Sequence, residues 1–161
     1  MSTTGTVVSI HIASAGTAPM SSVAEINAIA GKGLEGDRYF RKTGSYSKTP
    51  GSGREVTLIE VEAIEALKRE YQIEIDPAQA RRNIVTRGIA LNHLIDREFT
   101  VGDVVLRGTR LCEPCSHLEK LTIKGALRGL IHRGGLRADI VRGGIIRVEN
   151  EIALLAADSL G

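Results

Sequence analysis

The stretch Phe99-Thr-Val-Gly-Asp-Val-Val-Leu106 decides the fold. It joins two apolar segments of strand length through Gly102-Asp103, a dipeptide typical of a tight turn between paired strands. Short apolar segments recur on both sides of it, and in the first of them Val8, Ile10 and Ile12 alternate with other residues, which predicts one buried face. Further strands are predicted at residues 8–12, 23–29, 55–59, 83–86, 140–141, 145–148 and 152–154. Many short strands in a chain of 161 residues favour a closed or nearly closed β-barrel.

Helical segments interrupt this series of strands. Apolar residues at helical spacing between positions 61 and 71 predict a helix over residues 60–72. Asp76-Pro77-Ala78-Gln79 combines an N-cap residue, a proline suited to the first turn and a capping glutamine, so a short helix begins there. Ser116-His117-Leu118-Glu119 is a capping box that predicts another helix directly after Cys115. The predicted fold is therefore mainly β with helical insertions, in a single domain over residues 1–161.

Composition excludes several classes of protein. Hydrophobic residues make up 42% of the chain and charged residues 25%, which are values of a globular protein. With 3 Tyr, 2 Phe and no Trp, the chain lacks the aromatic platforms on which nucleic-acid bases stack. No apolar run reaches the ~18 residues of a membrane span, and no Lys or Arg precedes the apolar run at 7–12 as in a signal peptide. We therefore expect a cytoplasmic protein with no nucleic-acid or membrane partner, in which two cysteines indicate chemistry or metal binding.

Cys112-Glu113-Pro114-Cys115 is the strongest local signal for chemistry. A structural zinc site would use both thiolates, but it needs two more ligands and the chain has no second cysteine pair. A thiol–disulfide oxidoreductase would place the motif between a strand and a helix, as here, but no proline follows Pro114 to stand beside the disulfide. In a third interpretation Cys115, just before the capping box, is a soft thiolate ligand or a sulfur carrier for a metal cofactor. The alternative without chemistry is a pair of buried core cysteines.

Basic residues form a second set of candidates. Arg81-Arg82-Asn83 lies where a short helix gives way to a strand, and its guanidinium groups suit a phosphate or another planar anion. The same arginines would otherwise stabilise a helix end as cations. Gly36-Asp37-Arg38 closes a glycine-rich turn, either as an internal ion pair or as a ligand contact. Arg54 follows a polar loop expected over residues 41–53, and the arginines between positions 124 and 147 suit either an anionic ligand or a solvated surface.

Taken in order, these motifs resemble the MOSC domain, the family named after the C-terminal domain of molybdenum-cofactor sulfurases. The resemblance extends from about Val7 to about Leu154. It rests on segments 33–38, 54–58, 81–85, 101–103 and 114–115, whose sequences are GLEGDR, REVTL, RRNIV, VGD and PC. The resemblance implies a barrel of the pyruvate-kinase-barrel type with flanking helices, and a key cysteine that corresponds to Cys115.

The resemblance also implies a function. Family members that hold molybdenum cofactor (molybdopterin) use this cysteine as a molybdenum ligand, so Cys115 is the expected catalytic and metal-binding residue. The expected cofactor contacts are Gly36, Asp37, Arg38, Arg54, Arg81, Arg82 and Asn83. The expected activity is that of a small molybdoenzyme that reduces N-hydroxylated small molecules with electrons from a redox partner.

Two other functions stay open. One is a carrier of sulfur or of molybdenum cofactor, which works with a sulfurase protein and holds sulfur as a persulfide of Cys115. The other is a thiol–disulfide oxidoreductase that uses Cys112 and Cys115. No lysine of this chain is identified as a Schiff-base residue for pyridoxal phosphate.

Overall fold

The computed structural model of the chain describes residues 4–15, 18–38, 40, 55–112 and 133–155. The strands in these ranges are β1 (Thr4–Ile12), β2 (Ser21–Val23), β3 (Glu25–Ile29), β4 (Gly33–Leu34), β5 (Val56–Glu60), β6 (Ile84–Arg87), β7 (Glu98–Val101), β8 (Val104–Leu111), β9 (Leu136–Arg142), β10 (Gly144–Arg147) and β11 (Glu151–Leu154). Helix α1 spans Val61–Tyr71, and two 3-10 helices span Pro77–Ala80 and Leu91–Leu94. No helix among the described residues is long and apolar enough to cross a membrane.

The strands form a closed barrel, as the sequence predicts. The main sheet has eight strands in the order β11-β7-β8-β9-β5-β6-β1-β2, and β11 also pairs with β1. All of these strands except β2 therefore form a ring. Neighbouring strands are antiparallel except for β5 and β6, which are parallel. The helix between β5 and β6 provides the crossover that a parallel pair requires.

Two apolar clusters lie on opposite sides of β5. Leu58, together with the facing side chains of the other strands, fills the barrel interior. Ile59 points the other way, where α1 covers it with Ile64 and Leu67. Because both faces of β5 are buried, its side chains from Val56 to Ile59 are all buried, in contrast to the alternating pattern of a half-exposed strand.

Most local predictions are confirmed. The predicted helix over 60–72 is α1, and the turn at Gly102-Asp103 joins β7 and β8 in an antiparallel pair. The short helix after Asp76 is a 3-10 helix, in which the Gln79 side chain accepts a hydrogen bond from the Asp76 N–H at 2.8 Å. The predicted helix after Cys115 and the loop at 41–53 lie outside the described residues.

The prediction for the first strand was wrong about its buried face. Val7 and Ile10 are fully buried, whereas Val8 and Ile12 are only half-buried. The register between β1 and β6 shifts after Val7, at a bulge that lets two residues of β1 face one of β6. The bulge turns Val7 toward the barrel interior and leaves Val8 to pack against the outer cluster.

The predicted strand at 23–29 is two strands that belong to different sheets. β2 pairs with β1, whereas β3 lies in a separate three-stranded sheet of order β10-β3-β4. The end of β4 leads directly into Gly36-Asp37-Arg38. The parallel pairing of β5 and β6 places residues 55–57 beside residues 81–83. These two connections bring the predicted site residues to one end of the barrel.

Candidate functional site

A cluster of buried polar side chains lies before the amino-terminal ends of β5 and β6. Asp37 and Asn83 are fully buried, and the exposed fractions of Arg38, Arg81 and Arg82 are 5%, 8% and 8%. The structure thus brings together polar residues of two motifs that lie far apart in the sequence. The contact between Arg38 and Arg81, for example, spans 43 residues. We call these residues the arginine cluster.

Asp37 and Arg38 form the first part of the cluster. The Arg38 Nη1 donates to the Asp37 carboxylate at 3.2 Å, and the same carboxylate oxygen accepts a hydrogen bond from the Ala13 N–H at 3.0 Å. The Arg38 Nη2 donates to the carbonyl of Arg81 at 3.2 Å. Gly36 precedes the pair with φ of +89°, a left-handed conformation that favours glycine. The predicted ion pair is therefore present, and a ligand contact by these residues stays a prediction.

Arg81 ends the 3-10 helix Pro77–Ala80 in a left-handed conformation, with φ of 58°. This conformation costs a non-glycine residue about 1–2 kcal/mol. The backbone is held there by two hydrogen bonds, from its own N–H to the Ala78 carbonyl at 3.1 Å and from Arg38 to its carbonyl. The strained residue is therefore fixed by its neighbours, and strain of this kind is common at functional sites.

Arg82 joins three strands at the end of the barrel. Its Nε donates to the Gly134 carbonyl at 2.7 Å, and its Nη2 donates to the Cys112 carbonyl at 3.1 Å. Cys112 follows β8 and Gly134 precedes β9, so these carbonyls stand on either side of residues 113–132. Arg82 thus ties the end of β8 to the segment that precedes β9.

Asn83 connects β5, β6 and β1. Its Oδ1 accepts hydrogen bonds from the Thr57 N–H at 3.0 Å and from the Thr57 hydroxyl at 3.2 Å. Its Nδ2 donates to the His11 carbonyl at 3.1 Å, and its own N–H donates to the Thr57 hydroxyl oxygen at 3.0 Å. These contacts satisfy most of the hydrogen-bonding capacity of a buried amide. In the described structure Asn83 is a bridge between strands, and a cofactor contact by it stays a prediction.

His11 is a member of this region that the sequence did not identify. Its side chain is 3% exposed, with Nε2 at 2.7 Å from the Ser9 hydroxyl and Nδ1 at 3.1 Å from the Ser22 hydroxyl. Burial lowers the pKa of His11, so the neutral imidazole is favoured, with one ring nitrogen donating and the other accepting. The signal that sequence offered was a histidine inside the apolar run of the first strand.

The cysteine motif is described only in part. Cys112 is a free thiol that is 2% exposed, and its N–H donates to the Gly135 carbonyl at 2.7 Å. Cys115 and Arg54 lie outside the described residues. No group of three or more metal-ligating side chains occurs in the parts of the chain that the structure covers, and the predicted metal ligand Cys115 is not in those parts.

Three buried guanidinium groups lie together in the arginine cluster. Its described residues contribute the guanidinium groups of Arg38, Arg81 and Arg82 and the single carboxylate of Asp37. Buried cations are costly unless anions or hydrogen-bond acceptors compensate them. Guanidinium groups that are already fixed by backbone contacts lose little further freedom when an anionic oxygen binds. The arrangement can therefore hold a phosphate-like group at the end of the barrel.

Comparison with solved structures shows the same fold in proteins of low sequence identity. The YuaD protein of Bacillus subtilis has a TM-score of 0.78 and 15% identity, over 94% of this chain and 95% of that one. YiiM of Geobacillus stearothermophilus has a TM-score of 0.70 and 14% identity, over 94% and 75% of the two chains. YiiM of Escherichia coli has a TM-score of 0.66 and 16% identity, over 94% and 70%.

Comparison of sequences identifies the family. No curated protein matches the chain. The sequence profile of the MOSC domain, however, matches residues 45–158, which is most of the chain and includes β5 to β11. This match agrees with the motifs quoted above and with the closed barrel. The chain therefore belongs to the MOSC domain family.

Proposed function

We propose that the chain binds molybdenum cofactor at the arginine cluster and, with Cys115 as the metal ligand, reduces N-hydroxylated small molecules. The reaction takes two electrons from a redox partner protein and two protons. It breaks the N–O bond, so that a hydroxylamine becomes an amine and the oxygen leaves as water. When bound, the cofactor supplies the two-electron chemistry, and the chain supplies binding, orientation and exclusion of water.

The observation that carries this proposal is that three buried guanidinium groups lie at one end of the barrel. Arg38, Arg81 and Arg82 are each at most 8% exposed, and Asp37 is the carboxylate among the described residues of the cluster. Molybdopterin carries a phosphate, whose oxygens match the forked donors of guanidinium. The donor set thus fits the anionic part of the cofactor. Gly36 and Asn83 would contribute backbone and amide contacts at the same end of the barrel.

Chain connectivity supports the assignment of Cys115. It follows Cys112 by three residues, and three residues of chain span at most about 11 Å. The Cys112 carbonyl is in turn bonded to Arg82 at 3.1 Å. Arg54 adjoins Glu55, two residues before Thr57, which contacts Asn83. A soft thiolate is a suitable ligand for a metal of this kind, whereas the serine hydroxyl is a harder and poorly ionised one.

The burial of Cys112 bears on the oxidoreductase alternative, because it weighs against Cys112 as the attacking thiol. A thiol–disulfide oxidoreductase requires at least one accessible, activated thiolate and a second thiol to resolve the mixed disulfide. Cys112 is 2% exposed, and both its N–H and its carbonyl are engaged at the end of the β8–β9 pair. This environment is typical of a structural cysteine. The carrier function, which uses Cys115 alone, is not affected by this argument. The experiment described next distinguishes it from the proposed reductase.

The test compares Cys115→Ser with Cys112→Ser in protein purified from cells that make molybdenum cofactor. We expect Cys115→Ser to lose bound molybdenum and the activity on a hydroxylamine, and Cys112→Ser to keep most of both. Molybdenum is measured by elemental analysis, pterin by absorbance, and folding by circular dichroism. Retention of full activity by both variants would contradict a role for cysteine. Cyanide-labile sulfur without molybdenum in the unmodified protein would favour the carrier function.

A further inference from the structure

Met20 contacts the arginine cluster through its thioether sulfur. The Arg38 Nη1 donates to Met20 Sδ at 3.3 Å, and the same nitrogen donates to the Asp37 carboxylate at 3.2 Å. A thioether sulfur is a weak hydrogen-bond acceptor, whereas carboxylate and phosphate oxygens are strong acceptors for a guanidinium group. One N–H of a buried arginine therefore faces a weak acceptor.

Met20 lies at the surface of the protein, although the arginine that it contacts does not. It directly precedes β2 and is half-buried, and its neighbours in the chain, Pro19 and Ser21, are exposed. Arg38, in contrast, is 5% exposed. A hydroperoxide in solution can therefore approach Met20 and change the surroundings of a buried cation.

Oxidation of the sulfur changes this contact in polarity and in size. The peroxide O–O bond breaks, one oxygen forms a bond with the sulfur, two electrons leave the sulfur, and the other oxygen leaves as water. The resulting sulfoxide is polar, and its oxygen accepts hydrogen bonds more strongly than the thioether does. Met20 Sδ already lies at hydrogen-bond distance from Arg38 Nη1. An oxygen on the sulfur cannot enter between these two atoms unless the side chains move apart.

A displacement of Arg38 disturbs the rest of the cluster. Its Nη2 donates to the Arg81 carbonyl at 3.2 Å, and the Asp37 carboxylate that it contacts also accepts a hydrogen bond from the Ala13 N–H at 3.0 Å. The methionine side chain is unbranched and has three rotatable bonds, so the sulfoxide oxygen can turn toward the cation. It then competes with any bound anion for the same guanidinium donor.

We propose that Met20 is an oxidation site, at which the sulfoxide binds Arg38 strongly and lowers the affinity of the arginine cluster for a phosphate group. The effect on phosphate rests on the proposed function, whereas the oxidation of Met20 and the rearrangement of Arg38 do not. The change is reversible, because a methionine sulfoxide reductase restores the thioether with two electrons from a dithiol and two protons, and releases water. Oxidising conditions thus weaken the anion site, and reduction restores it.

The experiment treats the full-length protein with hydrogen peroxide and titrates it with inorganic phosphate before and after. The chain has two methionines, so tandem mass spectrometry assigns the added oxygen to Met20 or to Met1. We expect Met20 to gain one oxygen and the phosphate affinity to fall about tenfold, the value of one charge-assisted contact. A methionine sulfoxide reductase with dithiothreitol should restore the affinity.

Two variants separate this effect from oxidation elsewhere. Met20→Leu keeps an apolar side chain of similar size that cannot take an oxygen, and it retains Cys112 and Cys115. Its phosphate affinity should equal that of the unmodified protein and should not change with peroxide. Met20→Gln places an amide oxygen near Arg38 without any oxidant, so its affinity should be low from the start.

Nuclear magnetic resonance detects the rearrangement without a ligand. Oxidation should shift the Arg38 Nε–H signal and the backbone amides of Asp37 and Ala13. The amide of Gly102 should not shift, because this residue lies before β8, at the other end of that strand from the arginine cluster. The same signals should stay in place when Met20→Leu is treated.

Three outcomes would overturn the proposal: Met20 takes no oxygen, its oxidation leaves the Arg38 signals unchanged, or the oxidised protein binds phosphate as well as the untreated one. Failure of the untreated protein to bind phosphate would contradict the anion site of the proposed function. In that case the Arg38 signals still decide whether Met20 is an oxidation site that controls this arginine.

Discussion

Single buried polar residues connect the strands at the end of the barrel that carries the arginine cluster. Asn83 bonds to Thr57 and to the His11 carbonyl, and the His11 ring lies between Ser9 and Ser22. Asn83, Thr57 and His11 are buried polar residues. A buried polar group that lost its partner would be costly, by about 1–3 kcal/mol. The positions therefore tolerate little change even where they touch no ligand.

His11 gives the protein a pH-dependent stability. Burial lowers its pKa from the ordinary value of 6.5. Below pH 6.5 the unfolded chain therefore binds a proton that the folded chain does not, so the free energy of unfolding falls as the pH falls, until the folded-state pKa is reached. We expect His11→Gln to lose this part of the pH dependence. The measurement is chemical denaturation at about pH 7.5 and about pH 5.5.

The control for His11 is His93→Gln, which replaces an exposed histidine. It should keep the fall in stability at low pH that His11→Gln loses. If His11→Gln and the unmodified protein lose equal free energy of unfolding between the two pH values, the buried imidazole does not cause the pH dependence of stability. Taking the difference between His11→Gln and the unmodified protein removes the contribution of Glu55 and Glu60, whose pKa values are raised by burial and act in the opposite direction.

Among the structural elements, the turn between the 3-10 helix Pro77–Ala80 and β6 carries two arginines for which we expect different effects on substitution. The Arg82 side chain bonds to the Cys112 and Gly134 carbonyls, and Arg81 bonds to Ala78 and to Arg38 through its backbone. We expect Arg82→Ala to lower the free energy of unfolding of the cofactor-free protein by about 2–4 kcal/mol. Arg81→Ala should instead weaken cofactor binding about ten- to hundredfold, the value of one charge-assisted contact.

Both arginine variants are measured by denaturation of the cofactor-free protein and by cofactor titration. Arg107→Ala is a suitable control, because Arg107 lies on β8 and faces solvent. An Arg82→Ala protein as stable as this control would contradict the role inferred from the two carbonyl contacts. An Arg81→Ala protein with unchanged affinity and lowered stability would return Arg81 to the interpretation of a helix-end cation.

Local elements were predictable from sequence because their signals are local. α1 follows from apolar spacing within eleven residues, and the β7–β8 turn follows from Gly102-Asp103. The sequence did not reveal which side chains of β1 point into the barrel. That choice depends on the bulge after Val7, which arises from pairing with β6, almost eighty positions later in the chain. The division of residues 23–29 into β2 and β3 likewise depends on which sheet each half joins.

The candidate site was predictable as a set of residues but not as a network. Asp37, Arg38 and the arginines at 81 and 82 were identified by residue type and by family resemblance, and they do lie together. The hydrogen-bond partners of Asn83 were not predictable, because Thr57 is 26 residues away and His11 is 72 residues away in the sequence. Sequence also gave no reason to expect the Cys112 and Gly134 carbonyls as partners of Arg82, because backbone acceptors carry no residue signature.

At the scale of the whole molecule, closure of the barrel depends on β1. One part of β1 pairs with β11, and the strand also pairs with β6 on its other edge, so it completes the ring. Gly5 lies in this seam, where it faces Ile152. A Cβ at Gly5 would lie 2.6 Å from the Arg87 carbonyl oxygen and 2.8 Å from Ile89 Cγ2. The oxygen belongs to the backbone of β6 and can move only if the strands separate.

We therefore expect Gly5→Ala to lower the free energy of unfolding by roughly 1–3 kcal/mol. Because a closed ring has no free edge from which to open, the loss should reach every strand of the barrel and not β1 alone. Native-state hydrogen exchange measures this directly, and the slowest amides of β8 and β9, on the far side of the ring from the seam, should lose as much protection as those of β1. Gly31→Ala is the control, since its φ of +79° carries a conformational cost but no atom lies within 4 Å of the added Cβ. If Gly5→Ala reduces protection only in β1 and β11, the seam opens locally, and the barrel does not unfold as one cooperative unit.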